Sequence, residues 1–205
     1  MGDQGMNRYL KDSDTLTILP APPDTREEGV AWYEVQVFGT ERRVRLAAFD
    51  SEGADVGTAE TQLLNDDEAR VTISEKDGQT LTATLTFTRA GEGDTRILVR
   101  VDGDEISITG SSSDPGLGSV QGRRSGQEQK LPRHWERLGD PLAVLADALR
   151  VRAADSNSWG CTSCLVLLGG VSLSAFACVE GALPACAGTL TGGATFIENC
   201  EGACA

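Results

Sequence analysis

Residues 161–204 read CTSCLVLLGGVSLSAFACVEGALPACAGTLTGGATFIENCEGAC, and this stretch dictates most of the architecture expected for the chain of 205 residues. It holds all six cysteines of the sequence and only three charged side chains, Glu180, Glu198 and Glu201. The last basic residue before it is Arg152. A single domain rarely separates its residue types so sharply. We therefore expect a boundary between residues 155 and 159 and a separate cysteine-rich module after it.

The cysteine spacing, C-x2-C-x13-C-x7-C-x13-C-x3-C, reads nearly the same in both directions. Six cysteines allow 15 pairings in general. In an antiparallel hairpin, however, the position numbers of facing residues have a constant sum, and the nested set fits this geometry with sums of 365, 364 and 364. The spacing therefore predicts three disulfides: Cys161 with Cys204, Cys164 with Cys200, and Cys178 with Cys186.

The two arms of this hairpin are predicted to be helices. Leu165 to Val179 lacks the strict alternation of a strand and contains few β-branched residues. Pro184 stands where a second helix would begin. The arms are rich in Gly and Ala, which let two helices approach within the roughly 5.5–6 Å between Cα atoms that a disulfide needs. The module is expected to be a disulfide-stapled helical hairpin.

Other uses of these cysteines remain open at this stage. Cys161, Cys164, Cys200 and Cys204 could hold a zinc ion, although Cys178 and Cys186 would then have no role. A redox CxxC motif is disfavoured, because no βαβ context surrounds Cys161-x2-Cys164. The stretch from Cys161 to Val179 has no charge and approaches the length of a membrane span. Both a hairpin that enters a bilayer and a compact soluble one are consistent with it.

Residues 29–110 carry the signals of an antiparallel β domain. Apolar and polar residues alternate in several runs, for example Trp32 to Phe38 and Leu81 to Phe87. Asp77-Gly78 and Asp102-Gly103 are hairpin-turn dipeptides. About six strands are predicted, forming a meander or a small sandwich. Since one face of such a sheet is apolar, another element must cover it.

The remaining segments are assigned by composition. Residues 1–28 are predicted to be a loose N-terminal lead-in, and residues 111–130 a flexible linker rich in Gly, Ser and Gln. Residues 131–155 comprise a connector and a helix from Pro141 to Arg152, with Asp140 as N-cap. Residues 156–205 form the cysteine-rich module. The fold class expected is α+β: a β meander or small sandwich, a helix, and the stapled hairpin.

The composition excludes several classes of function. The chain has 31 acidic and 18 basic residues, a net charge of −13, which argues against nucleic acid as a partner. No nucleophile, paired-carboxylate or phosphate-binding motif is evident, and the lone His134 is interpreted as a surface or packing residue. We therefore expect no enzyme, no catalytic residues and no metal or other cofactor.

The many acids and few lysines are typical of salt-loving archaea, and also of high-GC bacteria. No secretory signal is recognised near Met1.

The Gly- and Ala-rich C-terminal segment that opens with Cys161-Thr-Ser-Cys164 resembles the cysteine-rich microhalocins, which are halocin-like bacteriocins. The resemblance covers about a quarter of the chain. The chain departs from the family pattern in its number of cysteines and in lacking a recognisable twin-arginine signal. The resemblance implies a precursor with a C-terminal antimicrobial peptide, secreted or at the cell surface, that acts on a target-cell membrane or envelope component. The β domain would be a leader, carrier or immunity segment that contacts the tail within the molecule.

The resemblance also places the processing site. The cut would fall in the small and polar stretch before the hairpin, a type of segment that is accessible to proteases: Ala153, Ala154, Asp155, Ser156, Asn157, Ser158 and Trp159. A competing hypothesis is a non-enzymatic protein whose cysteine tail binds zinc or anchors the chain to a membrane or a partner.

Overall fold

The computed structural model describes residues 8–11, 14–23, 28–91, 93–111, 113–114, 118–122, 130–152 and 159–204. The ten strands in these residues form one antiparallel sheet, in which every strand pairs with the next along the chain. In order, they are β1 Arg8–Lys11, β2 Asp14–Pro20, β3 Trp32–Phe38, β4 Arg43–Phe49, β5 Asp55–Asn65, β6 Glu68–Glu75, β7 Thr80–Arg89, β8 Asp94–Val101, β9 Asp104–Ser111 and β10 Ser119–Gln121.

In the described part of the chain, four helices follow the sheet. The first two, α1 (Arg133–Glu136) and α2 (Gly139–Arg152), lie in the segment between the sheet and the cysteines. The other two, α3 (Cys161–Val179) and α4 (Leu183–Asn199), are the arms of the disulfide hairpin. The predicted α+β class, with a β meander, a helix and a stapled helical hairpin, is confirmed. The meander is a single sheet rather than a sandwich, because the helices cover its apolar face.

Because apolar and polar residues alternate along the strands, every second side chain points to this covered face. Tyr33, Val35 and Val37 of β3 point to the covered face, and the residues between them are half-buried on the other side. The same pattern runs through β7, where Leu81, Ala83, Leu85 and Phe87 are buried and threonines alternate with them. The turn between β8 and β9 is the tight hairpin that the sequence predicts, since Asp102 and Gly103 both have positive φ, 53° and 82°.

Three parts of the sheet differ from the sequence-based prediction. The loose lead-in predicted for residues 1–28 contributes two strands, β1 and β2, and β2 pairs with β3 along its whole length. The predicted linker 111–130 contains β10, which pairs with β9. The strand β5 was also not predicted. Three of its four inward residues, Gly57, Ala59 and Thr61, are small or polar, so the usual signal of large apolar side chains is weak, although Leu63 is inward as well.

The helical segment before the hairpin begins slightly earlier than predicted. Helix α2 starts at Gly139, so Asp140 is inside the first turn rather than capping it. Its carboxylate remains favourable there because the first turn of a helix carries partial positive charge. The short α1 had no signal in the sequence beyond a polar stretch around His134. Trp135 in this helix is buried, and so are the flanking residues Leu131 and Leu138.

One hydrophobic core extends from the sheet into the hairpin. Helix α3 packs on β3, β4 and β5, and α4 packs on β7, β8 and β9. Buried side chains of strands, of α1 and α2, and of both hairpin arms belong to the same cluster. The composition boundary at residues 155–159 is therefore a boundary in sequence but not in packing.

Candidate functional site, the enclosed disulfide hairpin

The three disulfides are Cys161–Cys204, Cys164–Cys200 and Cys178–Cys186, the nested set that the spacing predicts. Their Cα–Cα distances are 4.7, 5.8 and 4.7 Å respectively. Two of them close the open end of the hairpin, and the third lies next to the turn. With all six sulfurs paired, none is left in this state as a thiolate for zinc. Among the described residues, no three His, Cys, Asp or Glu side chains come together to hold a metal ion.

Local hydrogen bonds define both ends of α3. At the start, Ser163 Oγ accepts a hydrogen bond from the Gly160 N–H at 3.1 Å, which is the reciprocal half of a capping box. At the end, Gly181 has φ +103°, a left-handed conformation that favours glycine. The N–H of Ala182 reaches the Ala177 carbonyl, and the N–H of Gly181 reaches that of Cys178. This Schellman motif ends the helix and turns the chain into α4.

Hydroxyl groups inside the apolar arms are satisfied within their own helices. Ser172 Oγ donates to the Leu168 carbonyl at 2.8 Å, and Thr189 Oγ1 donates to the Ala185 carbonyl at 2.7 Å. These bonds matter because a buried hydroxyl without a partner is costly. Ser172 and Thr189 make the tail less hydrophobic, but neither adds an unpaired polar group to the hairpin.

Four glycines let the hairpin pack closely, and each faces a different neighbour. A Cβ on Gly169 would lie 3.2 Å from Val44 of β4, and one on Gly193 would lie 2.6 Å from Ile97 of β8. A Cβ on Gly192 would lie 2.5 Å from Val171, at the seam between the arms. Gly170 faces the Gly139 carbonyl and Leu142 of α2, each at 3.1 Å.

The segment 130–152, here called the strap, runs from the closed end of the hairpin to its open end. At its start, the Leu131 N–H donates to both carboxylate oxygens of Glu180, at 2.8 and 3.1 Å. At its far end, the Arg150 guanidinium lies 5.3 Å from the centre of the Trp159 ring, a cation–π contact. Helix α2 lies along α3 between these two points.

A cluster of polar and aromatic side chains ties the strap to the sheet. The Trp135 indole N–H donates to Glu75 Oε1 at 2.5 Å. The Tyr33 hydroxyl donates to the His134 carbonyl at 3.0 Å. His134 is buried, in agreement with a packing role, and its Nε2 lies 3.5 Å from Glu75 Oε1. Burial raises the pKa of Tyr33, and the carboxylates of Glu28 and Glu75 raise it further.

Of the predicted processing residues, Ala153 to Ser158 lie outside the described part of the chain, and only Trp159 is described. Trp159 is half-buried against Arg150, immediately before α3. Helix α3 is long and apolar enough to cross a membrane by length and composition, and it is the only such helix among the described residues. In this fold it is almost completely buried, and the core helix of a soluble protein would satisfy the same criteria.

Sequence reasoning found the cysteines and most of helix α2 of the strap. It missed helix α1, the packing of the strap on α3 and the separate roles of the glycines. Leu131 and Trp135, which fasten the strap, stand in a polar sequence context. The Gly-Gly pairs 169–170 and 192–193 were visible as small residues, but which element each would face depends on packing.

The chain has no match among known protein families, curated proteins or solved structures.

Proposed function

We propose that this chain is the precursor of a halocin-like antimicrobial peptide, in which the sheet and the strap shield a C-terminal disulfide hairpin, and a cut between Arg152 and Trp159 severs its covalent link to them. The sheet and the strap act as leader and immunity segment by covering the hairpin. The hairpin is the active part and acts on the membrane or envelope of target cells.

The observation that carries this proposal is the placement of the disulfides. All three join cysteines within residues 161–204, and none crosses to the sheet or the strap. A single cut before Trp159 would therefore leave a covalently closed hairpin with no covalent bond to the rest of the chain. A disulfide between the hairpin and the sheet would have prevented this.

The burial of α3 supports the shielding role. This helix carries no charged residue from Cys161 to Val179. Exposed to water it would form a large apolar patch, of the kind that marks a membrane or protein interaction site. In the precursor, this surface lies against Val44, Leu142 and other side chains of the sheet and the strap. Removal of these elements would expose an apolar helix whose length suits a bilayer.

Three disulfides in so short a segment also support an oxidising final location. Disulfides persist in extracellular and cell-surface proteins and are rare in reducing compartments. We propose that the hairpin reaches such a location, secreted or on the cell surface.

The test is to express the full chain in the source cells and to analyse the culture medium by intact-mass spectrometry. We expect an oxidised fragment that begins between residues 153 and 159 and inhibits related cells, whereas the uncut chain does not. A matched control replaces residues 153–158 with a Gly-Ser sequence of equal length and should yield no fragment. Full-length protein that stays in the cells, with no fragment in the medium, would contradict the proposal and favour the membrane- or partner-anchored alternative.

A further inference from the structure

The strap covers a side of α3 that neither the sheet nor α4 covers. The nearest atoms around a Cβ built on Gly170 all belong to the strap: the Gly139 carbonyl, Leu142 Cβ and the Ala143 nitrogen. The adjacent Gly169 faces Val44 of the sheet instead. Helix α3 is thus held between two layers, one contributed by the sheet and one by the strap.

The contact between α2 and α3 is close at the backbone level. A Cβ on Gly139 would lie 2.1 Å from Ser174 Oγ, and one on Gly170 would lie 3.1 Å from the Gly139 carbonyl. Helices that meet through glycines gain many van der Waals contacts along their length. The fit is also sensitive, because a backbone carbonyl cannot rotate away as a side chain can.

The strap is fastened at points that a cut before Trp159 would not touch. Leu131 remains bonded to Glu180 on the hairpin, and Trp135 remains bonded to Glu75 on the sheet. Arg150 and Trp159 lie on opposite sides of the proposed cleavage segment, yet they contact each other directly. The two new chain ends would therefore stay together after the cut.

We infer that the strap, rather than the cut itself, controls the release of the hairpin: the cut chain stays assembled as a non-covalent complex until the strap lifts from α3. This inference rests on the proposed function for the place of the cut. It adds a second step to activation, in which anything that loosens the strap increases the rate at which the hairpin leaves the shield.

The experiment uses the full oxidised chain with a site-specific protease sequence in place of residues 153–158. After complete cutting, the fragments are separated by size-exclusion chromatography, and the dissociation rate is measured on dilution. We expect the two wild-type fragments to elute together. Gly170→Ala should increase the dissociation rate by about fivefold or more, because the added methyl group would lie 3.1 Å from the Gly139 carbonyl and Leu142 Cβ, and the strap must shift to make room for it.

Gly188→Ala in α4 is the matched control. It makes the same substitution in a helix of the hairpin, but its Cβ meets its nearest atoms, Asp140 Oδ1 and Ser174 Oγ, at an ordinary 3.8 Å. This variant should dissociate at the wild-type rate. Equal rates for Gly170→Ala and Gly188→Ala, or complete separation of the wild-type fragments immediately after cutting, would overturn the inference.

A second pair of variants covers the case in which Gly170→Ala does not fold. Trp135→Phe removes the indole N–H that binds Glu75 and loosens the strap from the sheet side. Trp32→Phe is its control, since Trp32 is stacked on Phe49 at 5.7 Å on the other face of the sheet. Faster dissociation only in Trp135→Phe supports the inference, and equal rates contradict it. The readout is the separation of fragments, so a negative antimicrobial assay would bear on the proposed function alone.

Discussion

The ring of Phe196 in α4 lies 5.1 Å from the ring of Phe87 in β7, at an interplanar angle of 44°. Both side chains are almost completely buried. This tilted pair joins the second arm of the hairpin to the middle of the sheet, so the stability of the whole chain should depend on a contact between the cysteine-rich segment and the β domain.

A double-mutant cycle should detect this contact. Phe87→Leu and Phe196→Leu are each expected to lower the free energy of unfolding, and the two losses should be coupled by about 0.5–1.5 kcal/mol, the usual value for an aromatic pair. Urea unfolding of the oxidised chain provides the measurement. Phe49→Leu is the control, because Phe49 stacks on Trp32 on the half-exposed face and should cost less. Strictly additive losses would show that the two rings do not stabilise each other.

The seam between the two arms should respond to the volume of a single methyl group. Gly192→Ala places a Cβ 2.5 Å from Val171 Cγ2. Valine is stiff in a helix, and the disulfides hold the arms together, so we expect a loss of about 1–3 kcal/mol. Adding Val171→Ala should relieve the overlap and restore part of that loss. Thermal unfolding of the single and double variants distinguishes this rescue from simple additivity.

Gly188→Ala is expected to increase the stability measured by thermal unfolding, whereas Gly192→Ala lowers it. Its Cβ has no close neighbour, and alanine is favoured over glycine in a helix interior by about 1 kcal/mol. A clear loss of stability in this variant would mean that α4 lies closer to the strap than described.

Alkaline pH should destabilise the fold through Tyr33. Burial and two nearby carboxylates raise the pKa of Tyr33 above its ordinary value, so the folded chain holds this proton more tightly than the unfolded chain does. The resulting stability is complete below the unfolded-state pKa of about 10 and is lost as the pH rises beyond it.

Tyr33→Phe tests this dependence. The variant should lose about 1–3 kcal/mol at pH 8, because the His134 carbonyl loses its donor. Its stability should then decline less than that of the wild type between pH 9 and pH 11. Urea unfolding at the three pH values gives both quantities, and identical alkaline slopes in the two proteins would contradict the argument.

The outer disulfide, Cys161–Cys204 at the open end of the hairpin, should stabilise the fold less than its sequence separation of 43 suggests. A loop of that length would contribute about 4 kcal/mol by the chain-entropy estimate. Cys164–Cys200 already closes most of that loop, however, so Cys161–Cys204 adds a closed loop of only a few residues. The same estimate gives about 2.5 kcal/mol of stabilisation for a loop of that size. Urea unfolding of the Cys161→Ala/Cys204→Ala variant measures it.

Partial reduction provides a further check on the same disulfide. Both Cys161 and Cys204 are half-buried, whereas Cys164 and Cys200 are buried. A mild reductant followed by alkylation and peptide mapping should therefore label the outer pair before Cys164 and Cys200. Labelling of Cys164 first would contradict the burial described for the open end.

Much of the fold could be predicted because it depends on local periodicity. The alternation in β3, β4 and β7 determined these strands, and the nested cysteine spacing determined the hairpin and its three disulfides. Strand β5 escaped prediction because three of its four inward residues, Gly57, Ala59 and Thr61, are small or polar, which weakens the alternating apolar pattern. The strands β1, β2 and β10 extend the sheet through backbone pairing, which leaves only a weak trace in composition.

The sequence alone therefore determined the covalent links of this protein and those elements with a clear periodic pattern, since both follow from spacing along the chain. Only the tertiary structure decided that the hairpin and the sheet share one core, that Gly169 faces Val44 while Gly170 faces the strap, and that Leu131 binds Glu180. The physical reason is that a buried surface must be covered by another surface, and composition records that a residue is apolar or small without recording which neighbour covers it.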